Sequence, residues 1–407
     1  NYANYDSKLY LEASFFTKGS QLYQLRYDNK ELIPGVRWSS ALRIDIDKAF
    51  DFYGFNGYES WIDQERLATG KANKKGAQDP SQYLFTPYYR LDRIMVLAKS
   101  DFIGKITDNL SWEAGYHFSW FRQRPINRES INKGKPEYNI FPDSQTTLYE
   151  QYLQWGLISE DEADGGVVSS VRLGMMYDTR DKEGAPSRGI WAEGHVTAAP
   201  KFIGSSIPFY RYSLTMRQYL PIVKNNVLTF AYRLNYEGTM GKSAPYYILP
   251  YITVMGENFD KDGMGGYRTV RGILRDRVIG LDMATYTAEM RWRFTHFRLG
   301  KQNVALGLNA FSDGTMVTRG RDMDYNGRQP IESSYIPRPA YDDYMSKGRS
   351  SDIPHITVGA GFRFIMNSNF IVAAEYGMPI TRFFKENNPY RMQDGKGAFY
   401  INTGYLF

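Results

Sequence analysis

The sequence predicts an all-β chain, a transmembrane antiparallel β-barrel, on three observations. Apolar and polar residues alternate with period two in many separate runs. No apolar run approaches the ~18 residues that a spanning helix needs. The connections between runs alternate between short turns and long loops along the whole chain.

The bulk composition agrees. Of 407 residues, 33 are Tyr, 24 Phe and 7 Trp, and both strands and membrane interfaces favour such rings. Mean hydropathy is −0.50, which excludes a helical membrane protein. The net charge of +6 does not point to nucleic acid, because 50 basic and 44 acidic residues are interspersed without a basic tract. A solvated lumen and polar loops account for it. Cysteine is absent, which suits export without disulfides but is a weak signal.

A strand points successive side chains to opposite faces, so a barrel in lipid reads apolar-out and polar-in. Taken in order, Trp38, Ser40, Leu42, Ile44 and Ile46 alternate with Ser39, Ala41, Arg43 and Asp45. Leu110, Trp112, Ala114, Tyr116, Phe118 and Trp120 alternate with Ser111, Glu113, Gly115, His117 and Ser119. Val171, Leu173, Met175 and Tyr177 alternate with Arg172, Gly174, Met176 and Asp178. Leu228, Phe230, Tyr232 and Leu234 alternate with Thr229, Ala231, Arg233 and Asn235. Tyr286, Ala288, Met290, Trp292 and Phe294 alternate with Thr287, Glu289, Arg291 and Arg293. Ile356, Val358, Ala360, Phe362 and Phe364 alternate with Thr357, Gly359, Gly361 and Arg363. Each run is close to the ~9–11 residues that a tilted strand needs to cross hydrocarbon.

Fourteen strands are counted this way, starting near residues 8, 20, 36, 88, 110, 167, 189, 210, 227, 284, 303, 355, 369 and 398. Short turns fall near 104–109, 181–188, 221–226, 296–302 and 367–368. Long loops fall at 50–85, 123–166, 237–280, 318–353 and 379–396. Outer-membrane barrels pair short periplasmic turns with longer outer loops, and the parity places both termini on the periplasmic side. The whole chain, 1–407, is expected to form a single barrel domain. Residues 146–158 read either as a short amphipathic helix or as a further strand. In the last strand Phe399, Ile401, Thr403 and Tyr405 share a face with Phe407. A terminal aromatic on the lipid face resembles the sorting signal of such barrels; an ordinary strand end is the alternative.

Three segments go beyond a generic barrel. Gly265-Gly266-Tyr267-Arg268-Thr269-Val270-Arg271-Gly272-Ile273 lies inside the long loop 237–280. Tyr177-Asp178-Thr179-Arg180-Asp181 is followed by Pro186-Ser187-Arg188-Gly189. Glu289 stands on one strand, and Phe311-Ser312-Asp313-Gly314 on the next. In this order the segments resemble the superfamily of outer-membrane assembly and translocation barrels, the BamA, TamA and two-partner-secretion or bacterial-surface-antigen type. The resemblance covers roughly 165–407; residues 1–164 match only as strands. It implies sixteen strands, with the further hairpin inside 50–87 or 123–166.

The resemblance also implies that the long extracellular loop folds into the lumen. Arg271 of the Val270-Arg271-Gly272 stretch would then pair with Asp313, with Glu289 alongside. The periodicity independently puts both acids on the polar face. Charge-assisted bonds to carboxylates strengthen where water is partly excluded. The alternative is a solvated loop arginine near two lumen carboxylates. Asp178, Arg180 and Asp181 are expected to form a charged periplasmic turn, with Pro186 and Gly189 supplying its bend. Ile273 stands where the family usually has an aromatic, and Gly314 follows Asp313 without the usual spacer. Members carry periplasmic polypeptide-binding domains before the barrel. Here the first strand begins near Lys8, so those domains are removed, never present, or supplied by another chain.

No catalytic, metal or cofactor site is expected. His117, His195, His296 and His355 lack metal spacing, and nothing in the sequence shows a nucleophile, a base and a third group converging. Asp322–Gly327 imitates the start of a calcium loop, but Ser333 stands where its glutamate should be. The resemblance implies insertion, assembly or translocation of outer-membrane proteins, in the bacterial outer membrane. The expected partners are outer-membrane lipid and lipopolysaccharide, together with client or partner proteins. Two alternatives stand beside this: a barrel that anchors a larger complex, and a passive pore, against which a lumen-filling loop argues.

Overall fold

The computed structural model describes residues 6–16, 19–60, 62, 86–137, 140–183, 185–223, 227–256, 263–322, 352–367, 370–388, 390–404 and 407. Fourteen strands form one sheet in chain order, each antiparallel to its sequence neighbour. They are β1 (Ser7–Phe15), β2 (Gln21–Ile33), β3 (Val36–Asp51), β4 (Arg90–Lys105), β5 (Leu110–Pro125), β6 (Gly165–Asp178) and β7 (Gly189–Ala199). Then follow β8 (Phe209–Val223), β9 (Leu228–Met240), β10 (Asp282–Leu299), β11 (Gln302–Arg319), β12 (His355–Met366), β13 (Phe370–Pro379) and β14 (Ala398–Thr403). Every start lies within about two residues of the position that alternation gives, because a period-two pattern fixes both the register and the face of a strand. No helix of the described residues is long and apolar enough to cross a membrane.

The two faces separate as the sequence demands. On β10, Thr287, Glu289 and Arg291 are buried, while Met290, Trp292 and Phe294 are exposed. On β5, Glu113 and His117 are buried, whereas Trp112, Tyr116 and Trp120 are exposed. The exposed aromatics and aliphatics make an outward apolar belt, and the charged residues line the interior.

The described residues form fourteen strands, not sixteen. The stretch 123–166 holds no extra hairpin among its described residues. It carries two short helices instead, α1 (Arg128–Asn132) and α2 (Leu148–Gln154). At α2 the Thr147 side chain accepts from the backbone N–H of Glu150, and the Glu150 side chain accepts from that of Thr147. This capping box satisfies two amides that would otherwise lack partners, and of the two readings of 146–158 the structure has the short helix, over Leu148–Gln154. Residues 63–85, in the other candidate stretch, lie outside the described residues, as do 323–351 with most of the calcium-like segment.

At the long-loop end aromatic packing joins described residues of three loops. Phe52, Phe55, Tyr149, Tyr152, Tyr246 and Tyr247 belong to one buried cluster with Leu91 and Phe121 of the strands. Phe52 meets Tyr152 edge-on at 5.3 Å and Phe55 at 5.6 Å. Edge-to-face ring pairs add to the burial itself, so three loops hold one another without strand pairing.

Candidate functional site

The loop between β9 and β10 folds inward along the wall made by β10–β14. Isolated bridges pair Met264 with Val278 and Gly266 with Val270, which shapes its tip as a narrow finger. The Thr269 hydroxyl accepts from the Gly265 N–H at 2.9 Å and donates to the Gly263 carbonyl at 2.8 Å. Val270 and Ile273 are buried on either side of Arg271 and Gly272. Ile273, aliphatic where an aromatic is usual, is therefore accommodated in the packed loop.

Arg271 is fully buried. Its Nε and Nη2 donate to the two oxygens of Asp313 at 2.8 and 3.0 Å, and its backbone N–H reaches Oδ2 at 3.0 Å. Its Nη1 donates to Glu375 Oε1 at 3.1 Å and lies 3.9 Å from Glu289 Oε1. The guanidinium sits 3.4 Å from the ring centroid of Phe311, a cation–π contact in a dry site. Sequence reasoning brought Arg271, Asp313 and Glu289 to one place, and the structure puts Asp313 nearest.

Glu375 was missed, and with it Arg363 and Asn309. Arg363 Nη2 donates to Glu375 Oε1 at 2.9 Å and also to Glu289. Asn309 Nδ2 reaches Glu289 at 2.6 Å and Glu375 at 2.8 Å. Arg291 donates to Glu289 Oε2 at 3.2 Å. Three guanidiniums, Arg271, Arg291 and Arg363, thus face three carboxylates, Glu289, Asp313 and Glu375. Such balance is what burial of charge requires, since an unpaired member would keep its desolvation cost. The signal for Glu375 lay in β13, where Glu375 stands on the same face as Ala373 and Gly377. Register then pairs Glu375 with Gly361 and Gly361 with Asn309.

Glycines make room for the loop. The wall carries Gly359 and Gly377 side by side. At Gly272 φ is +95°, and an added Cβ would stand 2.6 Å from the carbonyl carbon of Gly377. The Gly272 N–H donates to the Tyr400 hydroxyl at 2.9 Å, and Asn402 Nδ2 reaches Glu375 at 3.2 Å. The contacts of the loop and its cluster therefore span five consecutive strands, β10 to β14.

A second cluster binds the outer loops together. The buried Arg277 donates to the carbonyls of Gln393 at 3.0 Å, Gly57 at 2.9 Å and Ser60 at 2.9 Å. His355 lies between Asp394 at 2.6 Å and Asp352 at 2.8 Å, with Tyr58 stacked on it at 3.8 Å. Burial alone would raise the pKa of Asp394. His355 outweighs that, helped by Arg277 and the Tyr58 hydroxyl, and holds this loop carboxyl below its ordinary range.

At the short-turn end hydrogen bonds tie together the described residues of 178–189. Arg180 grips Asp178 through Nε at 2.9 Å and Nη2 at 2.7 Å. Asp181 accepts from the Ser187 N–H at 2.9 Å, the Ser187 hydroxyl at 2.5 Å and the Arg188 N–H at 3.3 Å. Partial burial acts to raise its pKa, but these bonds prevail and hold the carboxyl below its ordinary range. Pro186 precedes this clamp. Gly189 has φ +103°, and a Cβ there would stand 2.3 Å from the Thr179 carbonyl oxygen. Ala185 of the turn packs with Ala305, Ile365 and Ile371 on β11–β13, and Glu183 meets Arg37 of β3 at 3.0 Å.

One residue faces the other way from its alternation. Counting by twos puts Phe407 on the lipid face with Phe399 and Ile401. In the structure β14 ends at Thr403, and Gly404, with φ +86°, redirects the chain. Phe407 is only 8% exposed; its ring lies 6.2 Å from that of Tyr219, with Arg291 4.9 Å above it. Its carbonyl oxygen accepts from Arg291 at 3.2 Å. Phe407 is therefore buried and not on the lipid face where the alternation put it.

The family described as the Omp85 superfamily domain matches residues 53–407. No curated protein sequence matches. Among solved structures, the chain is similar to BamA from Haemophilus ducreyi lacking POTRA domains 1-3, with TM-score 0.53 and 14% identity over 97% of this chain and 63% of that one. It is also similar to CdiB from Acinetobacter baumannii, with TM-score 0.46 and 13% identity over 98% of this chain and 53% of that one. At such identity the BamA likeness shows the barrel fold alone, and this chain spans less than two thirds of either structure's length.

Proposed function

The chain belongs to the Omp85 superfamily and is a bacterial outer-membrane β-barrel; on that footing we propose that residues 1–407 work as one barrel domain that inserts, assembles or translocates outer-membrane polypeptides. Its surroundings are lipid against the exposed apolar belt, lipopolysaccharide at the long-loop end, and client or partner proteins. Arg271 acts as the lock of the inward loop, through Asp313, Glu375 and Glu289. The Asp178–Gly189 segment is the periplasmic turn.

One observation carries this reading: the locked loop touches the last strand. Gly272 donates to Tyr400, and Tyr267 packs near the Tyr400 ring at 6.3 Å. A shift of the loop is thus felt directly at β14. The terminal strands are also the shortest, six residues in β14 and nine in β1, against eighteen in β10 and β11. Few ladder bonds hold a short strand, and unpaired strand groups in lipid are costly, so a client strand would gain by pairing there. The aromatic cluster that joins the loops at the long-loop end, with the inward loop, weighs against a passive pore.

The test uses the absence of native cysteine. Pairs of cysteines are placed one in β1 and one in β14 and oxidised in native membranes; a bridge forms only where Cα atoms come within ~7 Å. Client barrel assembly should slow when the bridge closes and recover on reduction. Undiminished assembly with the bridge closed would sink the insertase reading and leave the barrel as an anchor for partner chains.

A further inference from the structure

The inner wall at β5–β7 carries a group of side chains that the loop lock does not use. Glu113 stands on β5, and Glu193 and His195 on β7. In register, Glu113 faces Gly174 of β6, and Gly174 faces His195, so the three strands present Glu, Gly and His in one row. Gly174 has no side chain to fill the space between them; a Cβ there would stand 2.6 Å from that of His195. Glu193 lies two residues along the same face of β7. All three are more than nine-tenths buried.

These groups are short of partners. Glu113 Oε2 and both ring nitrogens of His195 are buried without a hydrogen bond. His195 Nδ1 lies 3.0 Å from Glu193 Oε1 but without hydrogen-bond alignment. Two cations act on these carboxylates by charge, Lys99 on Glu113 and Arg217 on Glu193, while Lys99 also pairs with Asp101 at 3.2 Å and Arg217 lies over the Trp191 ring at 4.2 Å. His117, the other histidine of this wall, is held by Asp101 at 2.6 Å. One carboxylate oxygen of Glu113 and both nitrogens of an imidazole thus stand with unmet bonding capacity beside a second buried carboxylate, Glu193, and buried polar groups rarely tolerate that. One ligand atom from each lies within 4.8 Å of the others.

We propose that Glu113, Glu193 and His195 bind one divalent first-row transition-metal ion on the inner wall of the barrel. A cation satisfies both carboxylates at once, where a hydrogen-bond donor would satisfy one. One nitrogen and two oxygens suit Zn²⁺ foremost, which takes three protein ligands and a water in mixed His/carboxylate sites. Bonds of about 2 Å in a tetrahedral set would place the ligand atoms about 3.3 Å apart, up to about 1.5 Å closer than the 4.8 Å within which they now lie. The ion staples β5 to β7 across β6. Ligand spacing along the chain could not reveal the set, because Glu113 and His195 meet only through the register of the intervening strand.

The test is equilibrium Zn²⁺ binding to the full chain in detergent, after chelator stripping, followed by calorimetry. Co²⁺ absorption gives a second readout, uncomplicated by cysteine. The expected result is one Zn²⁺ per chain. His195→Ala and Glu113→Gln should each lose more than the ~10–100-fold that an outer-shell partner is worth. His296→Ala, at an exposed histidine, should bind as the parent does. If His195→Ala fails to keep its heat-modifiable fold, Glu113→Gln, which preserves side-chain size, decides alone. Absence of stoichiometric Zn²⁺, or parental affinity in Glu113→Gln, overturns the proposal.

Discussion

Arg271 gives Asp313 three hydrogen bonds, two from its guanidinium and one from its own backbone N–H, across 42 residues of sequence. Backbone and side chain of one residue therefore converge on one carboxylate. This fixes the position of the loop as well as its charge.

Arg271→Ala should free the loop. It strands Asp313 and weakens the support of Glu375, and breaking a buried pair costs ~3–5 kcal/mol. Limited proteolysis in detergent should then cut within the loop, where the parent resists. Arg271→Lys should recover only part, since one ammonium cannot reproduce the fork on Asp313. Unchanged protease resistance in Arg271→Ala would favour a solvated arginine.

Asp313→Asn combined with Arg271→Ala should cost less than the sum of the two changes. The two residues share one set of bonds, and contacting residues couple by ~0.5–3 kcal/mol. Chemical-denaturant unfolding of the four proteins in the cycle measures this. Strict additivity would mean that the pair is not the unit.

Gly272→Ala should loosen the loop without touching any charge. The added methyl would strike the Gly377 backbone, and the residue holds φ at +95°. Backbone on both sides leaves no flexible side chain to give way. The same proteolysis assay should show cutting comparable to Arg271→Ala, while Gly241→Ala, which has open space around its Cβ position, should show far less.

Arg277→Ala should release the outer loops while leaving the inward loop locked. Three loop carbonyls lose their donor, at ~1–3 kcal/mol for each buried acceptor left unmet. Protease added to intact cells should gain access to the segments around Gly57 and Gln393, with heat-modifiable migration retained. Continued protection would show that the aromatic cluster alone holds them.

The Asp178–Gly189 turn should resist acid. The pKa of Asp181 is lowered in the folded chain, so its contribution is present above the unfolded value near ~3.9 and is lost as pH falls through the lower folded one. Amide protection at Ser187 and Arg188, taken against the free-peptide exchange rate at each pH, should persist as pH falls through the ordinary carboxylate range and be lost only below it. Asp181→Asn should flatten that profile. Loss of that protection well above pH ~4 in the parent would contradict the sign.

Much of this was legible in the residues. Period-two runs gave all fourteen strands, because lipid outside and charge inside force each strand to alternate. The Val270–Gly272 stretch pointed to Asp313 and Glu289 through resemblance. Glu375 and Arg363 stayed hidden, since an inward acid or base on an alternating strand looks like any other lumen residue until register shows its neighbours. The aromatic cluster was equally silent: Phe52, Tyr149 and Tyr246 belong to loops without a period. Phe407 was misplaced because counting by twos was carried past Gly404, where the strand has already ended.

The span of the Arg271 cluster has a consequence in time. All of the charged partners of Arg271, and Tyr400 beside it, lie later in the chain than the arginine itself. Its site is not complete until β10 to β14 have come into register. Docking of the loop is therefore a late event in biogenesis and reports that the C-terminal wall has been built correctly. A chain with a slipped hairpin would present the arginine with the wrong face of a strand and leave its positive charge without an acceptor.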